Sequence, residues 1–146
     1  MNFDPARFAI ALLTSMPDAV VYSDFEGRIQ FWNMGAETIF GFTAAEAVGQ
    51  SLDIIIPEGL RKRHWDGYEA TMRTGVTRYG AGDLLAVPAI RKDGSRLSTE
   101  FTIVPFKDET GRMLGIAAIM RDVTKQFEAM RALRKAAAAA GIASSP

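Results

Sequence analysis

Glycine-closed turns between β-prone runs constrain this chain more than any other feature. Asp24-Phe25-Glu26-Gly27, Lys92-Asp93-Gly94 and Asp108-Glu109-Thr110-Gly111 each end in a residue that accepts the positive φ of a tight turn. The first joins Asp18–Ser23 to Arg28–Asn33 and predicts a hairpin. The other two join Leu84–Ile90, Ser95–Phe106 and Met113–Arg121 into a meander, and Leu97, Thr99, Phe101 and Ile103 alternate along its middle strand. Two strands, an intervening stretch of helices and three further strands imply an α+β fold. Its antiparallel sheet of five strands has helices packed on one face.

The helices have their own punctuation. Asp4-Pro5 resembles an N-cap with proline in the first turn, and Phe8, Ala11, Leu12 and Ser15-Met16 recur at helical spacing up to Pro17. Ala36–Phe42 and Thr43–Val48 are expected as two short helices. Gly41 divides them, Thr43 and Glu46 stand at capping-box spacing, and Gly49 ends the second. Ile54-Ile55-Ile56 leads to Pro57. Beyond it, Glu58–Thr74 carries Leu60, His64, Tyr68 and Met72 on one helical face and stops at Gly75. From Val123 a last helix bears Phe127, Met130, Leu133 and Ala137, then fades through the alanine run at 136–140 into a frayed tail.

One domain suffices for 146 residues. Seventeen basic and seventeen acidic residues leave no net charge, which removes the long-range attraction expected of a nucleic-acid binder or of a protein held on an anionic membrane. No apolar run reaches bilayer length, because Asp18, Asp24, Glu37, Glu46 and Asp53 interrupt the candidates. The amino terminus lacks the basic start and apolar stretch of a secretion signal, so a cytoplasmic location is expected. The absence of cysteine excludes disulfides, thiolate-ligated metals, thiol nucleophiles and flavin-cysteinyl photochemistry.

His64 is the only histidine. A single imidazole cannot chelate a free metal ion, but it can be the axial ligand of a haem iron whose porphyrin supplies four nitrogens. The plainer reading is a partly exposed helical histidine held by hydrogen bonds. Glu58, Asp66 and Glu69 lie near it in sequence, yet carboxylates on a helix are usually a solvated face, and no nucleophile triad or carboxylate pair recurs elsewhere. An enzyme is not expected. Trp32-Asn33 reads as a core aromatic followed by a helix cap.

The order of elements and several short motifs resemble a PAS domain, the sensory module of bacterial signalling proteins. Those motifs are Pro17-Asp18-Ala19, Asp24–Gly27, Trp32-Asn33 with Ala36-Glu37 and Phe40-Gly41, Glu46–Gly49, Ile56-Pro57, Arg91–Gly94 and Arg121-Asp122-Val123-Thr124. The resemblance implies a flanking helix at residues 1–16, the sensor at 17–124, and an exit helix with its tail at 125–146. Within the family, Pro57-Glu58 followed by Arg61, Arg63 and His64 is similar to haem-binding PAS domains of rhizobial oxygen-sensing histidine kinases, and His64 falls on their proximal ligand. The match has no gap from Pro17 to His64. It then departs, because Tyr68 follows the histidine by four residues where those sensors usually place tyrosine three after. One extra residue turns a helix by about 100°, so only one of the two side chains keeps the family orientation. Leu85 stands where those sensors use an arginine to hold oxygen, and Asp83 where a related haem sensor has a methionine ligand.

The resemblance therefore implies haem b bound through His64, in a site lined by Tyr68, Met72, Leu85, Phe101 and Ile103. The ligand would be CO, NO or O2, with CO and NO favoured over O2 because Leu85 offers no hydrogen bond unless Arg78 or Asp83 supplies one. The alternative is a PAS domain with an apolar pocket for another small ligand, or none, that serves dimerisation and relay. Either way the signal is expected to leave through contacts: self-association of the terminal helices, or a separate signalling partner.

Overall fold

The computed structural model describes residues 2–76 and 85–141, with Leu85 described by its backbone. Helix α1 (Pro5–Ser15) starts at Asp4, whose carboxylate accepts the Ala6 N–H at 3.0 Å. The chain continues through β1 (Ala19–Asp24), β2 (Ile29–Trp32), α2 (Met34–Phe40) and α3 (Ala44–Ala47), then two 3-10 turns, Leu52–Ile55 and Glu58–Leu60. Helix α4 (Arg61–Thr74), β3 (Leu85–Ile90), β4 (Arg96–Lys107), β5 (Met113–Asp122) and α5 (Thr124–Ala139) follow. The sheet has five strands in the order β2-β1-β5-β4-β3, every neighbouring pair antiparallel, as the turn pattern implied.

Boundaries differ from the sequence reading where a cap intervenes. The second helix begins two residues before Ala36 and ends at Phe40, because Asn33 caps it by accepting the Ala36 N–H at 2.9 Å and Gly41, at φ 84°, ends it. The stretch before Pro57 winds into a 3-10 turn, with Ser51 accepting the Asp53 N–H. The helix expected from Glu58 is split, so α4 proper starts at Arg61. Leu84, Arg78 and Asp83, as well as the tail beyond Gly141, lie outside the described residues.

The alternating face of the sheet builds the core. Ala19 and Val21 of β1, Leu97 of β4 and Met120 of β5 pack with Ile29, Ala36, Phe40, Ala47, Leu52 and Ile55. Burying Phe40 and Ile29 completely, each 0% exposed, contributes about 1.5–3 kcal/mol apiece by transfer from water. Asn33, only 3% exposed, joins elements far apart in sequence: its amide accepts the Val20 N–H and donates to the carbonyls of Leu13 and Asp18. That links the end of α1 to the sheet. At the other terminus, Asp122 accepts both the N–H and the hydroxyl of Thr124 and pairs with Arg91 at 3.1 Å, while Ser98 donates its N–H to the Thr124 hydroxyl. These bonds fix where β5 becomes α5. Neither α1 nor α5 buries a residue, and Phe8, Leu12, Phe127, Met130 and Leu133 are exposed. Among the described residues, no helix is long and apolar enough to cross a membrane.

Candidate functional site

Helix α4 carries the sole imidazole, and the residues before it decide how it meets the sheet. Pro57 is buried and has no N–H to donate, so the chain enters through the short turn Glu58–Leu60. Arg61 then folds back, donating from Nε to the Ile56 carbonyl at 3.1 Å and from Nη2 to the Asp53 carbonyl at 3.3 Å. Gly75, at φ 72°, ends the helix.

One turn in, the half-buried His64 ring lies against Trp65 edge-on at 4.7 Å and against Tyr68 at 5.7 Å with 35° between the planes. Its Nδ1 is buried and has no hydrogen-bond partner among the described residues. Burial lowers its pKa from the usual histidine value, partly opposed by the Asp53 carboxylate. At neutral pH the ring is therefore uncharged, the state in which an imidazole binds a metal.

Trp65 and Tyr68 fasten the helix. The Trp65 indole donates to Asp53 Oδ1 at 2.6 Å, and its ring lies so close to Gly27 that a Cβ there would collide with it. Tyr68 donates its hydroxyl proton to the Asp24 carbonyl at 2.6 Å and so accepts from Ser23 Oγ at 2.9 Å. Burial pushes the Tyr68 pKa up to about 12, against the lowering effect of the Ser23 bond, so the phenol keeps its proton across the physiological range.

The expected site residues are brought together only in part. Tyr68 touches both apolar clusters of the interior, Phe101 packs against the larger, and Ile103 packs with Met72, Met113 and Ile116 in the smaller. Leu85 is opposite Phe101 in the β3–β4 register, and its side chain lies outside the described residues. Between α4 and the sheet, the Tyr68 phenol finds two polar partners on β1, and the flexible Met72 packs with Met113 and Ile116. Two grooves on the described surface lie elsewhere. One, of about 450 Å³, lies between Thr38–Gly41 and Arg91–Asp93; the other, of about 630 Å³, runs between α5 and the β3–β4 pair.

Glu58, Asp66 and Glu69 are exposed, and Asp66 pairs with Lys62 on the surface at 2.9 Å. The rings against His64 are those of Trp65 and Tyr68, with the Asp53 carboxylate acting on its charge, while Ser23 and Asp24 bond to Tyr68; Asp53 and the β1 partners lie too far off in sequence for proximity to single them out. Trp65, an indole in an otherwise polar stretch of helix, was the available signal. No group of three metal-ligating side chains occurs among the described residues. The donor chemistry fits haem: one uncharged imidazole with a buried, unpartnered nitrogen, and apolar side chains beside it.

The PAS domain model matches residues 17–125. Sensor protein FixL of Bradyrhizobium diazoefficiens is 30% identical over 86% of this chain and 24% of its own length. Oxygen sensor protein DosP of Escherichia coli K12 is 28% identical over 82% of this chain and 14% of its own. The chain thus spans less than a quarter of either relative. Among solved structures, a PAS domain from Colwellia psychrerythraea superposes with a TM-score of 0.72 at 25% identity, over 84% of this chain and 99% of its own.

Proposed function

The chain belongs to the PAS domain family, and from that premise we propose that it is a sensory module holding haem b noncovalently, with His64 as proximal axial ligand. The observation that carries this reading is the His64 imidazole itself, uncharged at neutral pH and without a hydrogen-bond partner at its buried Nδ1 among the described residues. A buried nitrogen without a partner is costly unless some occupant satisfies it. The relatives named as a sensor and an oxygen sensor support the same reading.

When bound, haem supplies the iron at which a diatomic gas is held or an electron exchanged. The chain's own residues do the rest. His64 would offer the ligating nitrogen, Phe101, Ile103 and Met72 would supply apolar surface, Leu85 is paired with Phe101 in the β3–β4 register, and Tyr68 orders the helix that presents the imidazole. With no cysteine for thioether bonds, attachment is noncovalent. Output leaves through α1 and α5 toward a second copy or a signalling partner, without catalysis by this chain.

Titrating the purified protein with ferric haem tests this. One equivalent should produce a sharp Soret band that His64→Ala removes or strongly weakens. Failure of the wild-type chain to take up haem overturns the reading. The packing of α4 favours a second reading, in which the domain binds another small ligand or none and serves as a dimerising relay. A colourless protein that still dimerises supports that alternative.

A further inference from the structure

Neither terminal helix buries a residue, so the polar joint at its root, more than packing, sets its direction. Both roots lie at one end of the sheet. Past the last turn of α1, Asp18 leads into β1, and the Asn33 side-chain amide donates to the carbonyls of Leu13 and Asp18 at 2.8 and 3.0 Å. Gly35 of α2 closes this joint, since a Cβ there would collide with the Asp18 carbonyl. At the other root, Asp122 accepts the N–H and the hydroxyl of Thr124, the first residue of α5. A side-chain pair joins the two roots: Arg121 donates from Nε to Asp18 Oδ1 at 3.2 Å and from Nη2 to Asp18 Oδ2 at 3.1 Å. A planar guanidinium that grips a carboxylate through two bonds fixes orientation as well as distance. Asp18 and Arg121 flank the register pair Ala19 and Met120, so the grip spans β1 and β5 at the end from which both helices leave.

We propose that the Arg121–Asp18 pair is the joint that sets α1 and α5 relative to each other, so that a displacement at either root is carried to the other helix. Arg121 is a positioning residue in this role. It acts on α1 through Asp18 and on α5 through the adjacent Asp122. The joint does not depend on what His64 holds, and it serves either reading of the function given above. Glu100, opposite Arg121 in the β4–β5 register, acts on the same charge, and the guanidinium can turn to it when Asp18 is neutralised. The Arg121 side chain is 67% exposed, so salt screens the pair.

The test is the distance between a spin label on α1 and another on α5 in the full, haem-free chain. The sequence has no cysteine, so Arg7→Cys and Arg134→Cys place two labels at exposed positions, and dilution into unlabelled chain keeps each measured distance within one molecule. With Arg121 and Asp18 intact, the distribution should be single and narrow. Arg121→Gln should broaden it about twofold, because a tilt freed at the roots is magnified along helices about 16 and 24 Å long. Asp18→Asn should broaden it or, with Arg121 turned to Glu100, shift it. Sodium chloride at about 1 M should broaden the distribution of the intact pair and leave that of Arg121→Gln unchanged, a dependence that a merely structural residue would not show. Thermal melts of both variants should stay close to wild type, since an exposed ion pair contributes little to stability. One distribution shared by the intact pair and both variants, whether narrow or broad, overturns the joint and leaves the proposed function untouched. Broadening that salt does not reproduce overturns it as well.

Discussion

His64 illustrates how burial sets the chemistry of one side chain. Its pKa is lowered by burial, so acidification protonates the unfolded chain first, near the ordinary histidine value, while the folded ring stays neutral. The unfolded state then binds more protons, and stability falls as pH drops from about 7 through that value until the folded pKa is reached. The loss amounts to about 1.4 kcal/mol for each unit between the two values. The lowered carboxylates act in a different window. Glu46, held down to about 2 chiefly by its Lys92 bond, along with Asp93, Asp108 and Asp122, gives up stability as pH falls through the ordinary carboxylate range toward the lowered folded values. Denaturant titrations of haem-free protein should show wild type weakening between pH 7 and 5 while His64→Leu stays level; parallel curves would contradict this.

At the level of elements, the sequence was legible wherever a local rule operates. The Asp-to-Gly turns, the Thr43–Glu46 capping box and the Asn33 cap all describe neighbours within a few residues, and each has its structural counterpart, while the alternation along β4 holds at Leu97 and Thr99 and is lost from Glu100 to Ile103. The candidate site was legible only as a list. That His64, Tyr68 and Met72 share a helical face follows from spacing, but Tyr68 meets Ser23 across 45 residues and Trp65 meets Asp53 by a bond no periodicity encodes. The packed interval between α4 and the sheet depends on those distant partners. Gly27 shows the consequence for stability, since it has a φ of 80° and the Trp65 ring against it. Gly27→Ala should therefore cost about 2 kcal/mol or more, from backbone strain plus overpacking, and should shift the Trp65 fluorescence. Gly49→Ala, at φ 90° with nothing within 4 Å, bears the strain alone and should cost less. Equal losses in thermal melts would show that the Trp65 contact contributes nothing.

For the whole molecule, the exposed terminal helices set the expectations. Phe127, Met130 and Leu133 are 54%, 51% and 65% exposed on α5, and Phe8 and Leu12 on α1 are likewise uncovered. Exposed apolar stripes of this kind seek a partner, and two short helices bury too little area for tight association. Leu133→Glu should move the protein toward monomer in sedimentation without altering haem uptake, because the helix lies apart from α4. A wild-type protein that is monomeric at every concentration would rule out pairing through these stripes. The central claim, that His64 on this PAS scaffold bears the iron, is tested most directly by chemical rescue. His64→Gly loaded with ferric haem should give the weak, broad Soret of unligated haem, and free imidazole should restore the sharp band of the wild-type protein. A His64→Gly spectrum identical to wild type before any imidazole is added would show that the iron is held elsewhere or only adventitiously, and would contradict the account.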